Sequence, residues 1–486
     1  MPLKMPTFLS RFAGRAAKVP LRGGSVWVRA RYDGAMTTDE NRKHWSNADF
    51  LSADAANNPA ARRMLRIRTR YEVANNCYAR GITLTLADDV VGTGPRLQMS
   101  TGDESTDAAL EASWRAWSRA VGMPEKLRTM KLAKTGDGET FALMSPNIGI
   151  PHAVKLDFKL VESDQVSSPF LNFWGEPGKI DGIIFDDFGN PIEYHVLKRH
   201  PGSMYGLATL EYTKVPASSV IHWFRQDRPG QHRGIPELTP ALALFAQLRR
   251  YTLAVLQAAE TAAQVAGVLE STAAAAESDK APEPLSVAEL ERNTIMTMPD
   301  GWKLSQLKSE QPTTTYKEFK AELINEIARC LNMPYNIAAC NSSGYNYSSG
   351  RLDHQTYDRS ISIERDHCER VVLDRLLSEW LKEAALITDL VPPKFRPAFS
   401  RGELPSHCWF WDERLHVDPE KEALATSVEL NNGMTNLADV YAEKGEDWRE
   451  KLELAATVKA EMDRLGLSFV ANPPNPGARD AAKADE

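Results

Sequence analysis

The stretch TPALALFAQLRRYTLAVLQAAETAAQVA, at residues 239–266, decides how this chain folds. Thr239 followed by Pro240 is typical of a helix start, because threonine caps the first turn and proline suits the first helical position. The 27 residues beginning at Pro240 predict a helix about 40 Å long. Nine of them are alanine, so the helix is slim, and apolar residues occur nearly all round it. Such a helix must be packed by neighbours on several sides. Three charged side chains argue against a membrane span: Arg249, Arg250 and Glu260.

Residues 267–312 form an excursion at the far end of this helix. The sequence predicts a short strand at 267–269, a small helix at 286–292, and strands around Ile295 and Leu304. The excursion is therefore expected to be a small module with helices and strands of its own.

A second helix is predicted after the excursion. Thr315 with Glu318 three residues later is a capping box. The helix that it opens carries an apolar face that extends to Leu331. The sequence thus predicts two long helices that are connected by a small module, with the second helix running back along the first.

Residues 330–350, which follow the second helix, contain no charged side chain over 21 positions. This segment is polar, bears tyrosines, and includes Gly344 and Gly350, which give the backbone conformational freedom. A long helix from about 350 to 386 is predicted after it. The sequence therefore indicates an uncharged loop between two helices.

Five arginines are concentrated in the helical region predicted at residues 37–80. This pattern favours a solvated helix face or ion pairs between subunits, and contact with DNA is the alternative. The five are Arg62, Arg63, Arg66, Arg68 and Arg70.

The region between the arginine-rich helix and residue 239 mixes strands with one helix. Residues 82–99 alternate in polarity and predict a strand followed by a turn. Residues 110–121 carry an apolar and aromatic stripe at helical spacing, which indicates a helix packed in a core. Residues 137–226 predict strands, including a hairpin whose turn lies at 186–191.

Composition indicates a globular protein with two or three domains. The 486 residues carry a net charge of −7, which opposes a role as an electrostatic DNA clamp. Residues 1–31 nevertheless hold seven basic residues and no acid, so a basic surface arm is expected there. Five cysteines form no C-x-x-C pair and no disulfide framework, and no signal peptide is recognisable. The sequence therefore predicts a protein made in a reducing cytoplasm.

The sequence contains none of the motifs that commonly carry catalysis. It has no G-x-x-x-x-G-K-[ST] loop for a triphosphate, no G-x-S-x-G, and no H-E-x-x-H. The cysteines and histidines lack zinc-type spacing. We therefore predict a structural protein without catalytic residues, metal or cofactor. The alternative is a DNA-processing enzyme, such as a nuclease or a terminase component.

Several blocks of this sequence resemble the lambda-type portal proteins of tailed phages. They occur in the family's order and span most of residues 29–380. The blocks are RARYD (29–33), TTDENR (37–42), HW (44–45), RYEVANN (70–76), VVGTGP (90–95), GYNYSSGR (344–351) and DH (353–354).

The resemblance implies an α+β portal fold and a head–tail connector that acts as the conduit for DNA packaging and ejection. It implies a dodecameric ring at one capsid vertex, with double-stranded DNA passing through it. The other implied partners are the terminase motor, the major capsid and scaffold proteins, and a head-completion adaptor, with no membrane. The implied parts are a basic arm (1–35), an α/β wing (36–238), a stem helix (239–266), a small α/β clip (267–312), a returning stem helix (313–333), a channel loop (334–349), a long helix across the wing (350–390), the C-terminal part of the wing (391–430), an α-helical crown (431–470) and a disordered tail (471–486).

In that framework the uncharged loop is expected to line the channel and to touch DNA weakly. Lysines there would hold phosphate, and acids would repel it, whereas hydroxyls and amides avoid both extremes. The alternative is a flexible connector whose neutrality is accidental. The candidate residues are Asn341, Ser342, Ser343, Tyr345, Asn346, Tyr347 and Ser348.

Overall fold

A computed structural model of the chain describes two compact units, which meet in sequence between Ala56 and Asn57. The first unit contains an antiparallel strand pair, β1 (Ala17–Leu21) and β2 (Gly24–Val28), and a short helix, α1 (Ala53–Ala56). The basic arm thus includes a strand pair that the sequence analysis did not predict. The residues described are 17–21, 24–28, 35, 38–168, 178–203, 211–264, 268–271, 302–305, 315–344, 347–412, 419–444 and 448–467.

The second unit opens with four helices and one strand. The helix predicted over 37–80 is wrong for residues 38–52, which form turns and irregular structure. Its later part ends at Asn75, because the Asn76 side-chain oxygen accepts hydrogen bonds from the backbone N–H groups of Tyr78 (3.0 Å) and Ala79 (3.3 Å) and so caps a new helix. The elements are α2 (Pro59–Asn75), α3 (Cys77–Val91), β3 (Arg96–Met99), α4 (Glu104–Val121) and α5 (Met123–Asp137).

The strand predicted at 82–99 is wrong over most of its length. Ile82, Leu86 and Val90 recur every four residues and are all buried, so they form one face of helix α3 rather than one face of a strand. Gly92, with a positive φ of 55°, ends the helix. Only the last four residues of the predicted strand are extended, as β3.

Two antiparallel sheets follow, in agreement with the strands predicted at 137–226. The first has the order β10–β4–β5 and the second the order β6–β7–β8–β9. The predicted hairpin is confirmed as β7 and β8, and its turn is fixed by Asp186, which accepts hydrogen bonds from the backbone of Phe188 and Asn190. The strands are β4 (Glu139–Pro146), β5 (Leu156–Val161), β6 (Lys179–Ile180), β7 (Ile183–Phe185), β8 (Pro191–Leu197), β9 (Tyr212–Pro216) and β10 (Val220–Phe224).

The long alanine-rich helix and the helix that follows the excursion are both present. A 3₁₀ turn precedes the first helix, and there the Thr239 hydroxyl donates to the carbonyl of Pro236 instead of capping the helix. Two short strands of the excursion pair antiparallel, while the helix predicted at 286–292 and the strand predicted around Ile295 lie outside the described residues. The elements are α6 (Leu242–Gln264), β11 (Val268–Ser271), β12 (Trp302–Ser305) and α7 (Tyr316–Arg329).

The C-terminal third is mainly helical. The predicted long helix is continuous from α9 to α10, but a π turn at Glu369–Leu373 joins the two parts. Strand β13 pairs with β3. Among the described helices, none combines the length and apolar character needed to cross a membrane. The elements are α8 (Tyr335–Ala338), α9 (Tyr347–Cys368), α10 (Asp374–Ala384), α11 (Arg396–Ser400), β13 (His407–Phe410), α12 (Pro419–Asn431), α13 (Leu437–Glu443) and α14 (Trp448–Leu465).

The main core is built around four tryptophans. The Trp114 ring centroid lies 4.6 Å from that of Trp117, and 5.5 Å from those of both Trp380 and Trp409. The aromatic stripe predicted on α4 is therefore confirmed as core. The tryptophan cluster packs α4 against the long helix and β13. The core of the second unit therefore combines residues from its N-terminal and C-terminal parts.

Candidate functional site

Arginines of α2 turn into the protein and pair with acids that are distant in sequence. Arg66 forms an ion pair with Glu139, and its Nη1 lies 3.1 Å from Asp164 Oδ1. Arg62 forms an ion pair with Asp181. A solvated face, ion pairs between subunits and contact with DNA are therefore all wrong for these two arginines, because both are buried and paired within the subunit. The clustered arginines that remain exposed are Arg63 and Arg68.

Glu139, at the start of β4, is the centre of this network. Its carboxylate is fully buried, and Arg233 lies 2.6 Å from Oε1 through Nη2. The backbone N–H of Gly234 donates to Oε2 at 3.0 Å, and His222 Nε2 lies 3.0 Å from the same oxygen. Burial alone would raise the pKa of Glu139, but Arg233 and Arg66 hold it well below its usual range. The carboxylate is therefore ionised and fixes two buried guanidinium groups.

Burial changes the ionisation of other groups in the same network. Burial and the neighbouring Arg233 lower the pKa of Arg62 to about 10. Burial also lowers the pKa of His222, although Glu139 acts in the opposite direction. The His222 ring is stacked between Phe141 and Phe224, with centroid distances of 4.3 and 4.4 Å. These groups tie α2, β4 and β10 together, which is a structural role.

A second buried network lies at the N-terminal root of α6. Glu237, five residues before the helix, accepts from Lys134 Nζ at 2.7 Å and from Lys131 Nζ at 3.2 Å. Glu364 of α9 lies 2.8 Å from Lys134 and 3.4 Å from Lys131. Burial would raise the pKa of Glu237, but the two lysines hold it far below its usual range. Two lysines and two glutamates thus neutralise one another where α5, the start of α6 and α9 meet.

The long helix is also held by arginines that donate to backbone carbonyls. Arg365 Nε donates to the carbonyl of Val90 at 3.0 Å, at the end of α3. Arg375 Nη1 and Nη2 donate to the carbonyls of Val220 (2.6 Å) and Ala217 (2.8 Å), beside β10. The π turn lies between these two anchors. These hydrogen bonds therefore fix the long helix against the end of α3 and against β10 of the first sheet.

The uncharged loop between α7 and α9 has a packed half and an exposed half. Asn332 and Cys340, with φ values of 53° and 51°, reverse the chain on either side of α8. Met333 and Ala338, which lie between them, are buried. Pro334 precedes α8 and favours its start. The segment predicted as a loop at 334–349 therefore begins with a helical turn that belongs to the core.

The structure brings only part of the predicted loop residues into one exposed segment. Ser342 and Ser343 are exposed, and the backbone N–H of Ser343 donates to Asn341 Oδ1 at 3.0 Å. Tyr345 and Asn346 lie outside the described residues. Tyr347 and Ser348 form the first turn of α9, three residues earlier than the predicted helix start. The described part of the loop after α8 is therefore 340–344, in which Asn341 is half-buried and the other residues are exposed.

One group of side chains has the composition of a metal site. Glu162, Asp164 and His200 lie close enough together for one atom of each to bind the same ion. However, Asp164 Oδ2 already lies 2.7 Å from Arg70, and its Oδ1 lies 3.1 Å from Arg66. Two guanidinium groups at this carboxylate oppose a cation, so the group is better described as an ion-pair cluster.

Two of the described cysteines, Cys330 and Cys368, are poorly suited to act as nucleophiles. Burial raises the pKa of Cys330 to about 11, and burial raises that of Cys368 well above its usual value. A thiol with a raised pKa carries little thiolate at neutral pH.

Sequence reasoning did not predict either buried network. The basic members were visible as a cluster in α2, but Glu139, Asp181 and Glu237 stand in unrelated parts of the sequence. A weak signal existed, since the acids at 137, 139, 162 and 164 lie in the region predicted to form strands, where a charged side chain is uncommon unless it is paired.

The sequence profile of a family described as phage portal protein, lambda family, matches residues 39–365. A curated relative named probable portal protein, from Halomonas phage phiHAP-1, is 24% identical over 445 residues, which cover 85% of this chain and 82% of the relative.

Solved structures with similar chains come from gene transfer agent (GTA) particles. A chain of the neck of an empty particle, computed with C6 symmetry, has a TM-score of 0.45 and 12% identity, covering 78% of this chain and 92% of that one. A chain of the native GTA virion has a TM-score of 0.43 and 15% identity, covering 82% and 96%.

Proposed function

The chain belongs to the lambda family of phage portal proteins, and we propose that identical copies of it form a ring through which double-stranded DNA is packaged and ejected. As a portal protein it is a structural component of the virion and forms the head–tail connector at the capsid vertex. The alternative of a nuclease or terminase component is wrong, because this family is not enzymatic. The family match over well over half of the chain carries this conclusion.

The paired helices α6 and α7 are proposed as the stem of each subunit. They pack through Tyr251, whose ring centroid lies 5.5 Å from that of Tyr316 and 5.0 Å from that of Phe319. Apolar side chains of α6 that face away from this contact, such as Leu253 and Leu256, stay about half exposed. Exposed leucines on a helix of this length are expected when neighbouring subunits cover them.

The segment 340–344 and the residues up to Ser348 are proposed to face the channel. In support, this segment joins the returning stem helix to the long helix, and its described part is largely exposed and uncharged. The α8 turn before this segment packs into the core through Ala338. The loop would therefore move on a rigid base as DNA passes.

Replacing Ser343 with lysine on every subunit is expected to slow packaging several-fold. A ring of new positive charges would bind phosphate, and such binding weakens with added salt, so higher salt should partly restore the rate. The measurement is DNA packaged per unit time with the phage's own procapsids and terminase.

Ser343→Asn is the matched control, since it changes the side chain without adding charge, and it should package normally. Rings and procapsids should assemble with both variants. Packaging by Ser343→Lys at the wild-type rate and to the wild-type DNA length would show that the loop does not line the constriction.

The finer parts and partners are also proposals. The excursion at 267–312, of which β11 and β12 are described, is proposed as the clip that docks the terminase motor and later the head-completion adaptor. Helices α13 and α14 are proposed as a crown, and α14 has no buried residue within the subunit. The wing at 36–238 and 391–430 would meet the major capsid and scaffold proteins. A ring of twelve subunits is the expected stoichiometry.

A further inference from the structure

Helix α2 has its polar and apolar faces reversed relative to an ordinary surface helix. The structure describes all of its residues, and the buried ones are polar or charged: Arg62, Arg66, Thr69 and Glu72. Met64, Ile67 and Tyr71 recur at helical spacing on the opposite face and are 47–55% exposed. The apolar face of α2 is thus exposed to solvent, while the polar face is buried and forms ion pairs. An exposed apolar stripe of this kind indicates a docking surface.

The stripe continues onto α6. Arg249 Nη1 donates to the Tyr71 hydroxyl at 3.3 Å, and its guanidinium lies 5.7 Å from the centre of the Tyr71 ring. Leu253 and Leu256 follow Arg249 at four and seven residues, so they share its face of the helix. Tyr251, which contacts α7, is turned about 200° away from Arg249 at about 100° per residue. The surface therefore points away from α7.

Two exposed arginines flank the apolar stripe. At about 100° per residue, Arg63 lies on one side of Met64, Ile67 and Tyr71, and Arg68 lies on the other. Arg63 and Arg68 are both exposed. We call the combined surface of α2 and α6 the basic strip.

Helix α7 carries the complementary surface. Glu318, Glu322 and Glu326 are exposed and recur every four residues, so they form one acidic row. Phe319 lies beside this row; one side of its ring packs against Tyr251 of the same subunit, and the side chain is 51% exposed. Like charges at four-residue spacing destabilise a helix unless opposite charges face them. We call this surface the acidic ridge.

We propose that the acidic ridge of one subunit docks on the basic strip of the next copy of this chain. This inference rests on the proposed ring, because a head-to-tail ring needs two different complementary surfaces on each subunit. Arg63 and Arg68 would face Glu322 and Glu326, while Phe319 would enter the apolar stripe. The α6 and α7 surfaces of one stem would thus serve opposite neighbours.

The composition of the strip favours a protein occupant over DNA. Met64, Ile67 and the α6 leucines offer nothing to a phosphate backbone, whereas they match Phe319 on the ridge. Arginine and aromatic side chains together are typical of the centre of a protein interface. The match in charge is present within one sequence, so no other partner is needed.

A charge-reversal experiment tests the pairing. Arg63→Glu with Arg68→Glu, and separately Glu322→Arg with Glu326→Arg, should each reduce the fraction of subunits in rings by about tenfold or more, because like charges then face each other. Circular dichroism and thermal unfolding should stay as in the wild type, since all four side chains are exposed. Ring fraction is measured by mass photometry at a fixed protein concentration.

Two combinations serve as matched controls. The fourfold variant, which has the wild-type net charge, should form rings again, because each strip then meets a ridge of opposite charge. An equal mixture of the two double variants should also form rings, in which the two kinds of subunit alternate. Both recoveries follow only if strip and ridge belong to neighbouring subunits.

The possible failures are distinct. If either double variant forms rings at the wild-type level, the pairing is wrong. It is also wrong if the double variants lose rings and neither the fourfold variant nor the mixture restores them. Normal rings together with weakened retention of DNA by Arg63→Glu/Arg68→Glu would overturn it in favour of a DNA surface. A wild-type protein that forms no rings would instead contradict the proposed function itself.

Discussion

Replacing Glu139 with glutamine is expected to lower the free energy of unfolding by about 3–5 kcal/mol. Glutamine has nearly the same shape, but it removes the charge and replaces one acceptor oxygen by an NH2 group that faces other donors. Arg66 and Arg233 would then lose the carboxylate that neutralises both of them in a fully buried position. An uncompensated buried charge destabilises far more than a missing surface contact.

This prediction is checked by urea unfolding at neutral pH. The matched control is Glu450→Gln, which removes the carboxylate that lies 3.3 Å from Arg115 in an exposed pair. That control should change the free energy of unfolding by less than about 1 kcal/mol. Equal effects of the two substitutions would show that the Glu139 network does not hold α2 in place.

Replacing Glu237 with glutamine is expected to have an effect of similar size, about 3–5 kcal/mol. Lys131 and Lys134 would share one carboxylate, that of Glu364, in place of two. Because Glu237 lies five residues before α6 and shares both lysines with Glu364 of α9, the loss should also loosen the position of α6 relative to α9. We therefore expect fewer complete rings as well as lower stability.

A double-mutant cycle isolates the charge effect. Lys134→Met removes one buried lysine, and together with Glu237→Gln it leaves Lys131 paired with Glu364. The double variant should be more stable than the sum of the two single effects predicts, by about 1–3 kcal/mol. Strictly additive effects would mean that the two side chains do not compensate each other.

The local elements that sequence reasoning predicted well have strong periodic signals. The tryptophans of α4 recur at helical spacing, and the β7–β8 hairpin has a turn rich in aspartate, glycine and asparagine. The paired helices α6 and α7 follow from the alanine-rich run and from the apolar face that ends near Leu331. In these segments, local propensity and tertiary packing favour the same structure.

The errors have physical causes. In α3, residues 82–91 include several β-branched side chains, which are typical of strands. The buried residues recur every four positions, however, and this spacing fits one face of a helix. In α2, arginine was expected at the surface because burying it is unfavourable. The acids that pair with the buried arginines are Glu139 in β4, Asp181 before β7 and Asp164 after β5. These partners are distant in sequence, so the spacing of residues in α2 does not reveal them.

The sequence analysis predicted the extent of the candidate loop only in part, because its first residues form α8. Sequence indicates neutrality directly, whereas the packing of Met333 and Ala338 depends on a pocket formed by distant helices. The same limit applies to the strip and ridge. Their charges are visible in the sequence, but which faces stay exposed follows only from the fold.

Negative-stain electron microscopy of the purified protein tests the central claim most directly. A portal ring built from this chain should give closed particles with a central hole, seen end-on, and with rotational symmetry. The wild-type protein and the fourfold charge-swapped variant should give the same particles. Single subunits, or compact particles without a hole at concentrations where the protein is otherwise folded, would contradict the account.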